Sequence, residues 1–321
     1  MTSNLSRRQL LARAAGITAG AGLASLGYAV GWEPEWLEVV ERDLPIRGLP
    51  VGLEGRSLVQ LSDLHIGPRV DSSYIAKTFA TVAAMQPDIV VVTGDWITYR
   101  GPAQLEELAR LLEHFPRGRL ASLGILGNHD YGFKWRMPEV ADTVVSHARA
   151  NGIQILRNEA VVVEGLTVVG LEDLWGPSFE PPPGLLAASS DPRLALCHNP
   201  DAADWPVWEG YEGWILAGHT HGGQCKPPFL EPPILPVNNP RYAAGEVAIR
   251  GSRQLYISRG VGYLLRARFN VRPEVTKFRL TRGRRSVGAN SPSIPIHPGI
   301  DTPILHRIEQ VSTIWTPAAT R

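Results

Sequence analysis

The chain has 321 residues, of which 44% are hydrophobic and 20% charged, and these values are typical of a globular protein with a full hydrophobic core. Its formal net charge is only +1, which excludes an overall basic field, so we expect no nucleic-acid partner. Two cysteines, Cys197 and Cys225, exclude a disulfide-rich scaffold and a four-cysteine zinc module.

Residues 1–31 have the composition of a targeting segment. Arg7 and Arg8 precede a Gly/Ala-rich apolar run that ends at Val30, which is the pattern of a twin-arginine export signal. A membrane anchor or a disordered basic tail is the alternative, and Ala29 lies at a plausible cleavage site. We expect export by the twin-arginine machinery. The domain would then face outside, either in the periplasm or cell wall or attached to the membrane.

The central part of the chain, residues 32–282, alternates short apolar runs with helical patterns. This order predicts an α/β fold with a mostly parallel core and ligands at the carboxyl ends of the strands. Residues 283–321 are rich in Arg, Ser, Pro and Thr and are expected to form a disordered tail. Helices are predicted at 72–85, 104–115 and 137–151, and strands at 37–46, 57–61, 88–93, 120–126, 153–156, 160–163, 167–169, 193–197, 214–217, 245–249, 254–258 and 275–280.

Metal-binding residue types follow several of these strands directly. Taken singly, the aspartates suit turns or caps, the asparagine a turn, and each histidine an ordinary strand face or core. Together they form a mixed set of carboxylate, amide and imidazole ligands without a thiolate, which suits Mn, Fe or Zn better than Ca or Mg. The set is too large for one ion, so two divalent metal ions sharing a carboxylate are expected. Its members are Asp63, His65, Asp95, Asn128, His129, His198, His219 and His221.

The order and spacing of these residues resemble the calcineurin-like metallophosphoesterase superfamily. The blocks that carry the resemblance are Asp63-x-His65, Gly94-Asp95, Gly127-Asn128-His129-Asp130, His198 and Gly218-His219-x-His221. The blocks at 61–65, 218–224, 258–260 and 268–270 resemble its exported phosphodiesterase branch. The likeness extends from about residue 32 to residue 280 and implies a four-layer α/β sandwich.

The resemblance also implies a role for each ligand. Asp95 would bridge two metals and, with His129, be catalytic, while Asn128 and His129 would bind substrate. Two cations would lower the pKa of a shared water, and the resulting hydroxide would attack a phosphodiester in line. His129 would stabilise the transition state or protonate the leaving alkoxide. One metal would be held by Asp63, His65 and His221, and the other by Asn128, His198 and His219.

Several residues near these blocks have two interpretations. Arg259 would pair either with a phosphate or with an ordinary carboxylate. Its place in a glycine-rich turn after a strand favours the phosphate, so Arg259 is expected to bind substrate. Cys197 and Cys225 would form either a disulfide or two buried thiols. An aromatic and aliphatic group would either form an apolar rim around the site or simply pack in the interior; it comprises Trp96, Tyr131, Phe133, Trp135, Tyr263 and Leu264.

The leading functional hypothesis is hydrolysis of a small phosphodiester or an envelope phosphate. The first alternative is a UDP-2,3-diacylglucosamine pyrophosphohydrolase of lipid A synthesis, because an apolar rim would suit acyl chains. That substrate is made and consumed on the cytoplasmic side of the membrane, which the export signal disfavours. The second alternative is a non-catalytic metal-binding protein of the cell envelope, and the complete ligand set argues against it.

Overall fold

The computed structural model describes residues 6–249 and 253–283. The predicted tail lies outside the described residues from position 284 onward. Two six-stranded sheets form the body of the protein, and three helices cover one face of the first sheet.

The first sheet contains six strands, β1 (Glu38–Arg47), β2 (Ser57–Leu61), β3 (Ile89–Thr93), β4 (Ala121–Ile125), β5 (Gln154–Ile155) and β12 (Glu274–Gly283). Their order in the sheet is β1-β12-β2-β3-β4-β5. Only the pairing of β12 with β2 is antiparallel; the other four are parallel.

The second sheet contains β6 (Glu159–Val163), β7 (Leu166–Gly170), β8 (Arg193–Leu196), β9 (Gly213–Ala217), β10 (Gly245–Ala248) and β11 (Arg253–Ile257). Their order in the sheet is β10-β11-β9-β8-β7-β6. The three central pairings are parallel, and the two edge pairings are antiparallel. The mixed α/β fold with a mostly parallel core is therefore confirmed.

The central strands are apolar on both faces, because each face packs against another layer. Val59 and Val90 face the helices, whereas Leu58, Ile89 and their alternate neighbours face the second sheet. Because alternate side chains of a strand point to opposite faces of the sheet, each of these strands contributes to two hydrophobic cores. The covering helices are α2 (Ser72–Ala84), α3 (Pro102–Leu112) and α4 (Pro138–Ala150).

The outer face of the second sheet carries a third core. Ala195 and Ile215 pack there against Trp208, Tyr242 and the short 3-10 helix Pro200–Asp204. Within the described residues this layer consists of 3-10 turns and loops, so the fourth layer implied by the resemblance contains no α-helix there.

The N-terminal segment forms one helix, α1 (Arg7–Gly31). Ser6 caps it, since the Ser6 hydroxyl accepts a hydrogen bond from the Gln9 amide and the Gln9 side chain accepts one from the Ser6 amide. Every residue from position 7 to position 27 is exposed. Among the described residues, this is the one helix long and apolar enough to cross a membrane, a property that a signal sequence shares.

Candidate metal centre

The carboxyl ends of five strands from the two sheets meet at one edge of the molecule. The first sheet contributes the residues after β2, β3 and β4, and the second sheet those after β8 and β9. Two groups of ligand atoms result, and within each group the atoms lie within 4.8 Å of one another. All six residues are buried. One group is Asp63, His65 and His221, and the other is Asp95, His198 and His219.

Asp95 lies between the two groups. Its Oδ2 is 3.2 Å from His198 Nε2 in one group and 3.5 Å from His65 Nε2 in the other. Its Oδ1 accepts a hydrogen bond of 2.9 Å from the amide of His129. One carboxylate oxygen therefore fixes the loop after β4, and the other faces both groups.

In three histidines, the ring nitrogen that points away from the ligand groups is hydrogen-bonded to an oxygen atom of the surrounding protein. Nδ1 of His65 is 2.9 Å from the Thr98 hydroxyl, Nδ1 of His198 donates to the Thr93 carbonyl at 2.7 Å, and Nε2 of His219 donates to the Pro236 carbonyl at 2.9 Å. A proton on the outward nitrogen leaves the inward nitrogen with a free lone pair. The two carbonyls therefore hold a proton of His198 and of His219 on the outward nitrogen, so that the inward nitrogen is the one that would ligate a metal.

The side chains that form the centre fit divalent cations. Nε2 of His65 and Nε2 of His221 approach to 2.9 Å, so one ring donates a proton to the other, and a cation that displaced this proton would meet two ring nitrogens. Oδ1 of Asn128 is buried and has no hydrogen-bond partner in the part of the chain that the structure describes. A buried amide oxygen without a partner is costly unless it binds an ion.

The backbone at the centre is strained. A positive φ in a non-glycine residue is uncommon, and such conformations concentrate at functional sites. Five of the seven predicted metal ligands adopt it, with φ values of 53° at Asp63, 47° at His65, 55° at Asp95, 72° at His219 and 50° at His221.

Glycines allow the strand ends to meet. A Cβ at Gly218 would lie 1.9 Å from the Ser62 hydroxyl and 2.5 Å from Asp63 Oδ2. A Cβ at Gly127 would lie 2.2 Å from Asp95 Oδ1. Both distances are far below van der Waals contact, so the glycines that flank the histidine and asparagine blocks are required for close approach of the backbone.

Burial sets the protonation of most of the imidazoles. It lowers the pKa of His65 and of His219 to about 3 and lowers that of His221 strongly, so these rings are neutral at pH 7. Burial would also lower the pKa of His198, but Asp95 and Asp63 raise it well above its usual value. A cation bound there would have to displace the proton of His198.

The two carboxylates of the centre differ in their environments. Burial, together with the charge of Asp95, raises the pKa of Asp63 to about 6. Burial would raise the pKa of Asp95 as well, but His198 and His129 hold it well below its usual value. Asp95 is therefore a stable anion between the two groups.

His129 lies half-buried beside the first group. Its ring centroid is 5.0 Å from that of His65 and 6.1 Å from that of Trp135. Trp135 stacks on Trp175 with ring centroids 5.2 Å apart, and the rings of Trp175 and His219 form a T-shaped contact with centroids 4.5 Å apart. Two tryptophans thus form an aromatic wall over the centre. No short motif marks Trp175 in the sequence, and its position was not anticipated.

The other residues of the proposed apolar rim divide into two sets. Trp96, Tyr131 and Tyr263 are at most 1% exposed and belong to the core between the first sheet and its helices, so the packing interpretation holds for them. Leu264 is half-buried, and Phe133 is 59% exposed.

In the structure Arg259 pairs with carboxylates, and the two cysteines are not joined by a disulfide. The guanidinium of Arg259 forms ion pairs with Glu274 and Glu38, so we assign it a structural role in place of a phosphate contact. Cys197 and Cys225 are both free thiols; Cys197 is buried and Cys225 half-buried, so the disulfide interpretation is wrong in this structure. Burial raises the pKa of both thiols.

Arg268 supports the loop beside the first group of ligands. It is fully buried, and its Nη2 lies 3.4 Å from His221 Nδ1. Burial lowers its pKa to about 10, so it remains charged at neutral pH. It donates hydrogen bonds of 2.6–3.2 Å to the carbonyls of Arg259, Gly260, Gly262 and Val271.

We expect Arg268→Met to lower the free energy of unfolding by about 2–4 kcal/mol, because it leaves several buried carbonyls without a donor. Urea denaturation of the purified variant measures this. The control is Arg279→Met, which removes an exposed guanidinium paired with Asp43 and should change stability little. Equal midpoints for the two variants would contradict the role of Arg268.

Two buried groups of carboxylate and imidazole ligands, with one carboxylate between them at the carboxyl edge of two packed sheets, define a metallophosphoesterase. Residues 56–223 match the family described as calcineurin-like phosphoesterase. The chain belongs to this family, and it is a metal-dependent phosphoester hydrolase.

The chain is also similar to curated relatives over most of its length. "Phosphodiesterase YaeI" of Escherichia coli K12 is 32% identical, over 86% of this chain and 99% of that protein. "Uncharacterized metallophosphoesterase YkuE" of Bacillus subtilis 168 is 35% identical, over 86% and 98%. "UDP-2,3-diacylglucosamine pyrophosphatase LpxG" of Chlamydia trachomatis is 28% identical, over 77% and 90%.

Proposed function

We propose that the protein is a phosphodiesterase that uses two divalent cations, drawn from Mn, Fe and Zn. The observation that carries this proposal is the position of Asp95, whose Oδ2 contacts an imidazole of each group. A single anion shared by two ligand groups is what two neighbouring cations require. The similarity to YaeI supports a diester as the substrate.

We assign each ligand group to one of the two cations. Asp63, His65 and His221 would hold one cation, and His198, His219 and the unpaired Oδ1 of Asn128 the other, with Asp95 bridging. When bound, two such cations lower the pKa of a water and stabilise the charge that develops in an in-line displacement at phosphorus. The buried carboxylates of Asp63 and Asp95 would offset part of the cations' charge, and the oriented imidazoles would supply neutral nitrogen ligands.

His129 is placed to act on the substrate. Its backbone amide is fixed by Asp95, and its half-buried ring lies beside His65 at the partly open side of the centre. An imidazole N–H there can donate to a phosphoryl oxygen, which would stabilise charge in the transition state. Trp135 and Trp175 offer a flat apolar surface to the group attached to the phosphate.

A substrate screen of the metal-loaded protein tests the proposal. The purified chain, loaded with Mn, Fe or Zn in turn, is assayed against a phosphomonoester, a phosphodiester and a nucleotide-sugar pyrophosphate. We expect kcat/KM for the diester to exceed the other two by at least about tenfold, a difference of roughly 1.4 kcal/mol in transition-state binding. Hydrolysis of none of the three would contradict the proposed activity.

The second candidate is cleavage of a lipid-linked pyrophosphate. The similarity to LpxG favours it, and so does the aromatic wall, which suits an apolar substituent. A nucleotide-sugar pyrophosphate as the best substrate would move this candidate to first place. A non-catalytic metal-binding role in the envelope is disfavoured because every predicted ligand is present and inward-facing or buried.

We further propose that residues 1–31 are an export signal or anchor, residues 32–282 the catalytic domain, and residues 283–321 a tail. Arg7, Arg8 and Arg13 lie in the first half of α1. Positive charge beside an apolar segment favours the cytoplasmic side, so the domain would face outward, after passage through the twin-arginine machinery.

The paired substitution Arg7→Lys, Arg8→Lys tests this placement. If the twin-arginine machinery reads these side chains, the variant should remain inside the cell, where protease added outside the membrane does not reach it, while the parent chain is digested. The control is Arg13→Lys, which leaves the pair intact. Protection of the parent chain as well would contradict export and favour the lipid-precursor candidate.

A further inference from the structure

An apolar loop lies beside the metal centre. Among its residues, Phe229 is fully exposed, Ile234 is 73% exposed and Leu230 is 63% exposed. Three large apolar side chains on one loop form a patch of the kind that marks an interaction surface. The loop, Pro227 to Pro236, is rich in proline, and proline lowers the entropy lost when a loop is held in one conformation.

The end of α1 is attached to the same part of the domain. The Ala29 carbonyl accepts a hydrogen bond of 2.9 Å from the Arg268 amide, and the Tyr28 ring packs edge-on against Phe269 at 6.3 Å. The buried Glu33 accepts from the amides of Asn270 and Val271 at 3.0 and 2.7 Å. The helix therefore leaves the domain at a fixed point.

The backbone connects this exit point to the apolar loop. The Lys226 amide donates to the Phe269 carbonyl at 2.8 Å, and Phe269 is the residue that packs on Tyr28. Phe229 follows Lys226 by three residues, which span at most about 11 Å. Near the exit, Trp32 is 66% exposed and Leu265 is 45% exposed. Exposed tryptophan next to an apolar helix is typical of a membrane interface.

We propose that the surface formed by Trp32, Phe229, Leu230, Ile234 and Leu265 rests in the lipid headgroup region of the membrane that α1 enters. The occupant is the bilayer because α1 is apolar and exposed over residues 7–27, and its exit point adjoins the loop. Side chains of this kind bury about 5–10 Å into the headgroup boundary.

This surface adjoins the metal centre. The Pro236 carbonyl at the end of the loop accepts from His219 Nε2, and a Cβ added at Gly223, two residues after His221, would meet Pro232 at 2.4 Å. The loop therefore contacts His219 of one ligand group and the glycine turn that follows His221 of the other group. A membrane bound to this surface lies close to the centre, whatever reaction the centre performs.

Lipid quenching of fluorescent labels tests the proposal on the full chain. Phe229→Cys, Leu23→Cys and Val162→Cys are each made in a Cys225→Ser chain, labelled with an environment-sensitive dye and reconstituted into nanodiscs of phosphatidylethanolamine and phosphatidylglycerol. Cys197 is buried and stays unlabelled. Spin-labelled lipid is the quencher. Val162, 65% exposed on the edge strand β6, is the control, and Leu23 reports on insertion of α1.

We expect the label at position 229 to be quenched at least about twofold more than the label at position 162. Quenching at position 23 with none at position 229 would overturn the proposal, as would no quenching at either. A second copy of the chain is the rival occupant. In that case the label at 229 is shielded, and Phe229→Ser with Leu230→Ser converts a dimer to a monomer in detergent, which also overturns it. None of these outcomes depends on hydrolytic activity.

Discussion

Asp95→Asn should lower kcat/KM for a phosphodiester by at least about 10³-fold while the protein remains folded. The amide keeps an oxygen that can accept from the His129 amide, so the loop after β4 retains its anchor. The negative charge between His65 and His198 disappears, and an NH₂ group can take the place of the oxygen that faces both groups. Two cations would then repel each other without compensation.

Metal content separates this explanation from a general loss of structure. The variant should bind fewer cations than the parent chain when metal is measured by mass spectrometry after desalting, and its circular dichroism spectrum should be unchanged. Asp43→Asn, which removes an exposed carboxylate on β1 paired with Arg279, is the control and should retain both activity and metal. Two bound ions and a near-normal rate in Asp95→Asn would refute the bridging role.

Much of the fold follows from local pattern. The β-branched run within residues 88–93 predicts a strand covered on both faces, and β3 is buried along its whole length. The predicted strands and helices end within three residues of the observed elements. The segment 1–31 is different, because its composition favours an export signal without excluding an anchor or a tail, and only the structure shows one continuous helix with a capped start.

The clustering of the candidate ligands was also predictable, because parallel strands bring their carboxyl ends to one edge and the candidate residues follow those ends. The groups that orient the ligands were not. The carbonyls of Thr93 and Pro236 fix two of the histidines, and a backbone carbonyl has no sequence pattern. The ion pairs of Arg259 were not predictable for a related reason, because its partners Glu38 and Glu274 lie outside its own sequence block.

His129→Ala should retain both cations and lower kcat by about 10²–10³-fold, because a donor to the substrate is removed while no ligand is lost. The ring of His129 packs beside His65 but is absent from both ligand groups. Turnover and metal content are measured on the same preparation. Loss of metal with proportional loss of rate would instead make His129 a ligand.

His129→Gln then distinguishes the two ways in which this side chain can act. A glutamine amide can donate a hydrogen bond to a phosphoryl oxygen, but it cannot transfer a proton to a leaving alkoxide. If His129 stabilises charge, kcat of His129→Gln should be at least about tenfold higher than kcat of His129→Ala. We expect this recovery, because the Asp95 contact fixes the backbone of the loop in either variant. A Gln variant as slow as the Ala variant, on a substrate with an alkyl leaving group, would show that proton transfer is the essential contribution.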